Sequence, residues 1–466
     1  MAPIFTNDAV ILGLLILVLT LIFYTARLDH PFWKKFYTYI PALLLCYFLP
    51  AVLNWPLGLI APHWYEPGII DALMQQNIQM PANFKELSYE QINSFIESQG
   101  LKASEFSAYT GHSQLYFVAS RYLLPASLVL LCLGIDIQGF INLGPKALIM
   151  FLAATLGIVI GGPIALFTIL NFFPGLITNA SPDEIWRGLS TVAGSWIGGG
   201  ANQTAMKEIF QVGDGIFASM IVVDVIVANI WMGFLLYGAN IAPRVDRWLK
   251  SDTSAIEDLK TRVSDYRSKI EKIPSTTDIF IVLGIGFGGV ALAHWGSDVI
   301  VPLMDGIRST LEYYRLNSLL SPFFWLIVIS TTVGLACSFT RLKEVEGLGA
   351  SKMGSVFIYI LVATIGMKMN IAEIFSNLGL FAVGGLWMLI HVAILLIVAK
   401  IIQAPLFFVA VGSQANVGGA ASAPIVASAF SPSLAPVGVL MAVLGYAMGT
   451  YGAIICAIMM QAVAAG

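Results

Sequence analysis

Apolar runs of about 20 residues recur from one end of this sequence to the other, each long enough to cross roughly 30 Å of hydrocarbon. One series lies at about 9–26, 36–60, 114–135, 146–171 and 216–239. A second lies at about 277–296, 322–340, 353–368, 379–401 and 434–462. Two further stretches, about 184–211 and 403–431, are less apolar and are interrupted by glycine. Only 11% of the 466 residues are charged and 58% are hydrophobic. A soluble domain needs about 25% charged residues to face water, so most of this surface must face lipid. The pattern predicts an all-α polytopic membrane protein in a bilayer.

Several classes drop out early. No run of Lys and Arg is present, so nucleic acid is not expected as a partner. Cys46, Cys132, Cys337 and Cys456 fall within apolar runs and lack ligand spacing, so they read as small core residues, with no metal or cofactor expected. Met1 to Asp8 carries no basic residue, so the first run reads as a retained span and not as a cleaved signal. The glycines at 284, 286, 288 and 289 lie inside an apolar run with no strand before them, which suits helix packing and not a nucleotide.

Loop charge sets the orientation. Arg27, Lys34 and Lys35 place the first loop in the cytoplasm and the N-terminus outside. The loop at 61–113 has only Lys85 and Lys102 against Glu66, Asp71, Glu86, Glu90, Glu97 and Glu105, which suits the outside. The central loop carries Arg244, Arg247, Lys250, Lys260, Arg262, Arg267, Lys269 and Lys272 and belongs inside. These assignments agree only if an odd number of crossings precedes residue 240. Five clear spans satisfy that parity if the glycine-broken stretch enters and leaves on one side as a re-entrant hairpin. The expectation is ten transmembrane helices in two inverted five-helix repeats, 1–242 and 277–466, joined by a cytoplasmic linker at 243–276, with both termini outside.

Internal likeness supports the repeat. Gly134-Ile135-Asp136-Ile137 with Asn142-Leu143-Gly144 has a counterpart in Gly366-Met367-Lys368-Met369 with Asn377-Leu378-Gly379. The broken stretches both open on Gly-Ser, at Gly194-Ser195 and Gly412-Ser413, and run into glycine clusters, Gly198-Gly199-Gly200 and Gly418-Gly419. Backbone freed by such clusters at membrane depth must be buried in protein or line a wet cavity. The polar groups there make a candidate substrate site: Ser195, Gly199, Gly200, Asn202, Gln203 and Thr204 from one hairpin, with Ser413, Gln414, Asn416, Gly418, Gly419 and Ser422 from the other.

Ionisable residues at depth are costly and point to function. Asp224, just after the first hairpin, reads as a Na⁺ ligand, a proton carrier or a structural hydrogen-bond acceptor; Asn229 and Thr450 join it as candidate ion-coupling residues. His391 suits a satisfied core histidine or a proton-handling one. Arg121 reads as a snorkelling residue or an anion contact, and Tyr446 and Tyr451 as site-wall residues. Asp136 and Lys368 suit interfaces, while Lys207 and Glu208 read as outer-arm or solvated charges. Ser88-Tyr89-Glu90-Gln91 predicts a short capped helix in the outer loop, a lid or a dimer contact.

The hairpin texts and the ten-span inverted layout resemble the YjcL-like family of bacterial membrane proteins, classed as a domain of unknown function, over nearly the whole chain. That family is grouped with the cation:proton antiporter and anion transporter superfamily, and the layout looks distantly like the sodium:glutamate and sodium:citrate symporters. The resemblance implies a homodimer in the bacterial inner membrane, a fixed scaffold, and a moving unit that carries both hairpins, with substrate and Na⁺ between the tips. The symporters' strict Gly-Gly-x-Gly signature is replaced here by Gly198-Gly199-Gly200-Ala201 and Gly418-Gly419-Ala420-Ala421, which leaves the dicarboxylate substrate open. The expected function is Na⁺-coupled symport of a small polar solute (a carboxylate, amino acid or short peptide) by an elevator mechanism, and not an enzymatic reaction. The alternative is a monovalent cation:proton antiporter that uses Asp224.

Overall fold

The computed structural model describes the chain apart from residues 1, 41, 82, 85, 86, 88, 136–140, 142, 178, 252–273, 315, 370–378, 432, 433 and 466. In chain order the helices are α1 (Asp8–Arg27), α2 (Pro31–Tyr39), α3 (Ala42–Asn54), α4 (Ile69–Gln75), α5 (Tyr89–Ser98), α6 (Leu115–Leu133), α7 (Pro145–Phe172), α8 (Pro182–Ile209) and α9 (Asp214–Asn240). They continue with α10 (Ala242–Leu249), α11 (Thr276–Asp305), α12 (Arg308–Tyr313), α13 (Pro322–Ser338), α14 (Ala350–Gly366), α15 (Gly379–Ile402), α16 (Leu406–Val417), α17 (Gly419–Phe430) and α18 (Ala435–Ala464). The long helices begin where the sequence supplies caps. Asn7 accepts from Ala9 N at the start of α1, and Ser181 with Glu184, and Ser275 with Asp278, form capping boxes ahead of α8 and α11.

Among the described residues, seven helices are long and apolar enough to cross a membrane, and up to nine if each of two bent pairs is one span. Every one of the ten predicted apolar segments contains a helix, but three are short: α3 has 13 residues, and α13 and α14 have 17 each. At 1.5 Å per residue a 17-residue helix covers about 26 Å, just under the hydrocarbon thickness. After α13 the chain turns by 98° into a 3₁₀ segment over Arg341–Leu348. Large apolar side chains stay exposed along the long helices, among them Phe280, Trp295, Leu303 and Ile401, as a lipid-facing surface requires.

The described residues fall into two compact units that cut across the sequence halves: residues 1–121 with 359–371, and residues 122–358 with 372–466. In the first unit, Phe23 of α1 packs edge-on against Tyr359 at 4.6 Å, Gly366 of α14 lies against the Tyr47 backbone of α3, and Asn54 Nδ2 donates to Met367 O. Lys368 sits over the Tyr116 ring, and Arg121 over Phe117 with a bond to Ser120 Oγ. The 61–113 loop carries structure that the charge pattern did not reveal. An antiparallel pair β1 (His63–Tyr65) and β2 (Thr110–His112) joins α4 and α5 around buried Tyr65, Ile69, Leu73, Ile92, Ile96 and Phe106. The predicted capped helix is α5, although its cap residue Ser88 lies outside the described residues.

In the second unit, α6 packs on α11 and α13. Leu130 and Val129 face Gly286 and Gly289, and Gly334 of α13 approaches the Val129 backbone so closely that a Cβ there would lie 2.5 Å from its carbonyl. Two of the four clustered glycines on α11 thus serve packing; Gly284 and Gly288 have nothing within 4 Å of a built Cβ. Helices α7 and α15 cross through small residues, with Gly157 against His391 and Gly161 and Gly162 against Trp387. Asp136, Asn142, Asn377 and Leu378 of the repeat signatures, and most of the basic linker, lie outside the described residues.

Candidate functional site

The two glycine-broken stretches fold back on themselves. Gly199 takes φ 75° and ψ −170°, a conformation confined in practice to glycine, and splits α8 into two arms. In an unbroken helix Gly194 and Asn202 would be about 12 Å apart. Here a Cβ on Gly194 would lie 2.6 Å from the Asn202 carbonyl oxygen. At the open end of this hairpin the Trp186 and Phe210 rings meet at 5.5 Å, and Arg187 Nη1 donates to Phe210 O at 2.7 Å. The second hairpin is α16 and α17, turned at Gly418 and Gly419, the latter with φ 60°. Phe407 and Phe430, 23 positions apart, meet at 5.5 Å between ring centroids.

Asp224 on α9 binds the first hairpin together. Its Oδ2 accepts from Ser195 Oγ at 2.6 Å on one arm and from Gln203 Nε2 at 3.0 Å on the other, and its Oδ1 accepts from Trp196 Nε1 at 2.7 Å. Three groups that can donate face this side chain, an arrangement that suits a carboxylate. Asn202 ties the same hairpin to α18. Its Nδ2 donates to Gly198 O and Tyr446 O, and its Oδ1 accepts from Thr450 Oγ1 at 2.6 Å, whose hydroxyl also lies 3.1 Å from that of Thr331. Thr204 donates back to the carbonyls of Gly200 and Ala201.

The second hairpin is held by α7, α9 and α15. His391 Nδ1 lies 3.1 Å from Ala154 O, which only accepts, so this nitrogen carries the proton. Nε2 then accepts from Ser413 Oγ at 2.8 Å, while Trp231 Nε1 donates to the same oxygen at 2.8 Å. His391 is thus a hydrogen-bonded core residue. Asn416 Oδ1 accepts from Thr155 Oγ1 at 2.8 Å, and Gln414 Nε2 donates to Ser422 Oγ at 2.7 Å.

The first arms of the two hairpins end beside each other. A Cβ on Gly445 of α18 would lie 2.6 Å from Ile197 O and 3.6 Å from Ala415 O. Gly449, one turn on, lies against Gly198, and Gly438 lies against the Ala423 carbonyl. The turn glycines Gly199 and Gly419 have nothing within 4 Å of a built Cβ and are half-buried. Alanine at Gly199 is therefore expected to cost about 1–3 kcal/mol through backbone conformation alone. A fall of several degrees in the unfolding midpoint of Gly199→Ala checks this, and an unchanged midpoint would contradict the left-handed turn.

The predicted residues thus divide. Ser195, Gln203 and Asp224 form one cluster, Asn202 and Thr450 a second, and Ser413 and Asn416 each bond outward to a neighbouring helix. Asn229 stands apart from Asp224: five residues place it about 140° round the helix, and its Nδ2 donates to Val225 O on its own helix. Tyr446 contributes its carbonyl, and the Tyr451 hydroxyl pairs with Thr332. Lys207 is buried and paired with Asp214 at 2.8 Å, which corrects the solvated reading. Trp196, Trp231 and Thr155 were not anticipated as partners; a tryptophan at membrane depth needs an acceptor for its N–H, and that was the available signal.

Comparison with known proteins bears on the family. Over 347 residues the chain is 24% identical to a Bacillus subtilis (strain 168) protein described as "Uncharacterized membrane protein YjcL", covering 73% of this chain and 82% of that one. The family model described as "Protein of unknown function (DUF819)" matches residues 99–463, so the likeness covers less than the nearly whole chain expected, with α1 to α5 before or at its boundary. With a match across most of its length, this chain belongs to the DUF819 family of membrane proteins.

Proposed function

We infer that this protein is a secondary active transporter, a Na⁺-coupled symporter of a small polar solute that works by an elevator-type mechanism. The observation that carries the reading is the pair of glycine-turned helical hairpins whose first arms end together at Gly445 within a chain of membrane-crossing helices. The carbonyls of Ile197 and Ala415 come from helix ends whose last turns lack intrahelical partners, and such oxygens suit a small hard cation.

Reciprocal packing supports an inverted repeat. The helix of the third apolar segment of the first half, α6, packs on α11 and α13, the helices of the first two segments of the second half. The helix of the third apolar segment of the second half, α14, packs its C-terminal part on α1 and α3 of the first. The hairpins exchange in the same sense. The first is bonded to α18 through Asn202 and Thr450, and the second to α9 through Ser413 and Trp231. A pseudo-two-fold axis in the membrane plane generates such exchanges. On this reading the hairpins are re-entrant, ten helices cross the inner membrane, both termini lie outside, and a homodimer supplies the scaffold.

A coupling ion that binds only the folded state raises its stability. Na⁺ exchanged for choline at constant ionic strength is expected to raise the unfolding midpoint of the purified protein, and proteoliposomes with an inward Na⁺ gradient are expected to accumulate solute. Equal midpoints in the two salts, together with Na⁺-independent uptake, would sink the symport reading.

A further inference from the structure

The polar side chains around the two hairpin turns are nearly all spoken for. Ser195 and Gln203 serve Asp224, Asn202 serves α18, Thr204 bonds to its own arm, and Ser413 and Asn416 bond to His391 and Thr155. Gln414 is different. It is 2% exposed, its Nε2 donates to Ser422 Oγ, and its Oε1 accepts no hydrogen bond from the described residues. A buried acceptor left empty destabilises the fold and calls for a reason, of which an absent ligand is one.

The place of this amide says what such a ligand would meet. Gln414 Nε2 and Ser422 Oγ lie directly against Gly418, so closely that a side chain at 418 would displace them. The next residue, Gly419, turns with φ 60° and borders open space. It begins the 12-residue helix α17, whose N-terminus has no side-chain cap. The first-turn N–H groups of such a helix attract an anion, and the empty Oε1, on the same amide as the Nε2 that lies against Gly418, seeks an N–H donor. Acceptor and donors stand on the two sides of one turn.

We propose that the turn of the second hairpin recognises a solute that carries both a carboxylate and a free ammonium group, an α-amino acid. Gln414 Oε1 accepts from the ammonium and the first-turn N–H groups of α17 hold the carboxylate. The proposal rests on the transport reading above and narrows it, because a plain carboxylate would leave Oε1 empty.

The test uses the full-length protein in lipid nanodiscs with Na⁺ present, and thermal unfolding with matched pairs: L-alanine against propionate, L-leucine against 4-methylpentanoate, L-glutamate against glutarate. At least one amino acid is expected to raise the midpoint, with its des-amino partner about tenfold weaker or more. Gln414→Met should bring the pair to within about threefold, while Gln414→Glu, which keeps an acceptor there, should preserve the preference. Binding of the des-amino acid as tightly as the amino acid would overturn the proposal and leave the transport reading intact, since it would turn the Gln414 amide N–H₂ toward the ligand. Loss of the Na⁺ response in Gln414→Met, with amino-acid preference retained, would make Oε1 an ion ligand and also overturn it. Silence of every compound, together with no solute accumulation in liposomes, would sink both.

Discussion

Asp224→Ala is expected to lower the stability of the folded protein by several kcal/mol, since each buried donor left without a partner costs about 1–3 kcal/mol. The carboxylate accepts from Ser195, Trp196 and Gln203, which come from both arms of the first hairpin. Alanine leaves three buried donors without a partner and frees the arms from α9. The same change on a solvated aspartate would cost little, because water would replace the bonds. Asp224→Asn keeps one oxygen and should lose less. It also separates roles: a variant that folds and still gains stability from Na⁺ would show that Asp224 holds the hairpin without binding the ion. A midpoint for Asp224→Ala within error of the parent would remove the three-donor clamp from the account. Denaturation in nanodiscs, followed by tryptophan fluorescence, reads all of these outcomes.

Gly449→Val is expected to prevent correct assembly of the hairpin region. A Cβ at 449 would lie 2.5 Å from the Cα of Gly198, and backbone cannot yield as a flexible side-chain end can. Overpacking by one methyl typically costs about 1–3 kcal/mol, so Gly449→Ala should fold with a lowered midpoint and Val should exceed what the site can absorb. Gly288→Ala makes the matched control. A Cβ there meets nothing within 4 Å, and alanine favours a helix over glycine by up to about 1 kcal/mol. It should be neutral or slightly stabilising. Normal folding and uptake by Gly449→Val would mean that α18 does not grip the first hairpin as described.

What could be read in advance follows the physics of each element. The apolar runs and their caps were legible because lipid exposure and hydrogen-bond closure act locally: Asn7, Ser181 and Ser275 start helices where a capping residue precedes an apolar run. The hairpins were legible because glycine is the residue that tolerates the φ of Gly199 and Gly419. The strand pair at His63–Tyr65 and Thr110–His112 was not, since three-residue strands carry too little alternation to register. The separation of Asn229 from Asp224 was readable from helical angle alone, although closeness in sequence suggested a pair.

By itself the sequence determined a helical membrane chain with two glycine-broken stretches, because composition and period act within a segment and need no partner. The tertiary structure decided which side chains meet. His391 and Ser413, or Asn202 and Thr450, lie 22 and 248 positions apart, and no local rule pairs them. Only once the helices pack does a buried polar group find, or in the case of Gln414 Oε1 fail to find, the partner that its removal from water requires.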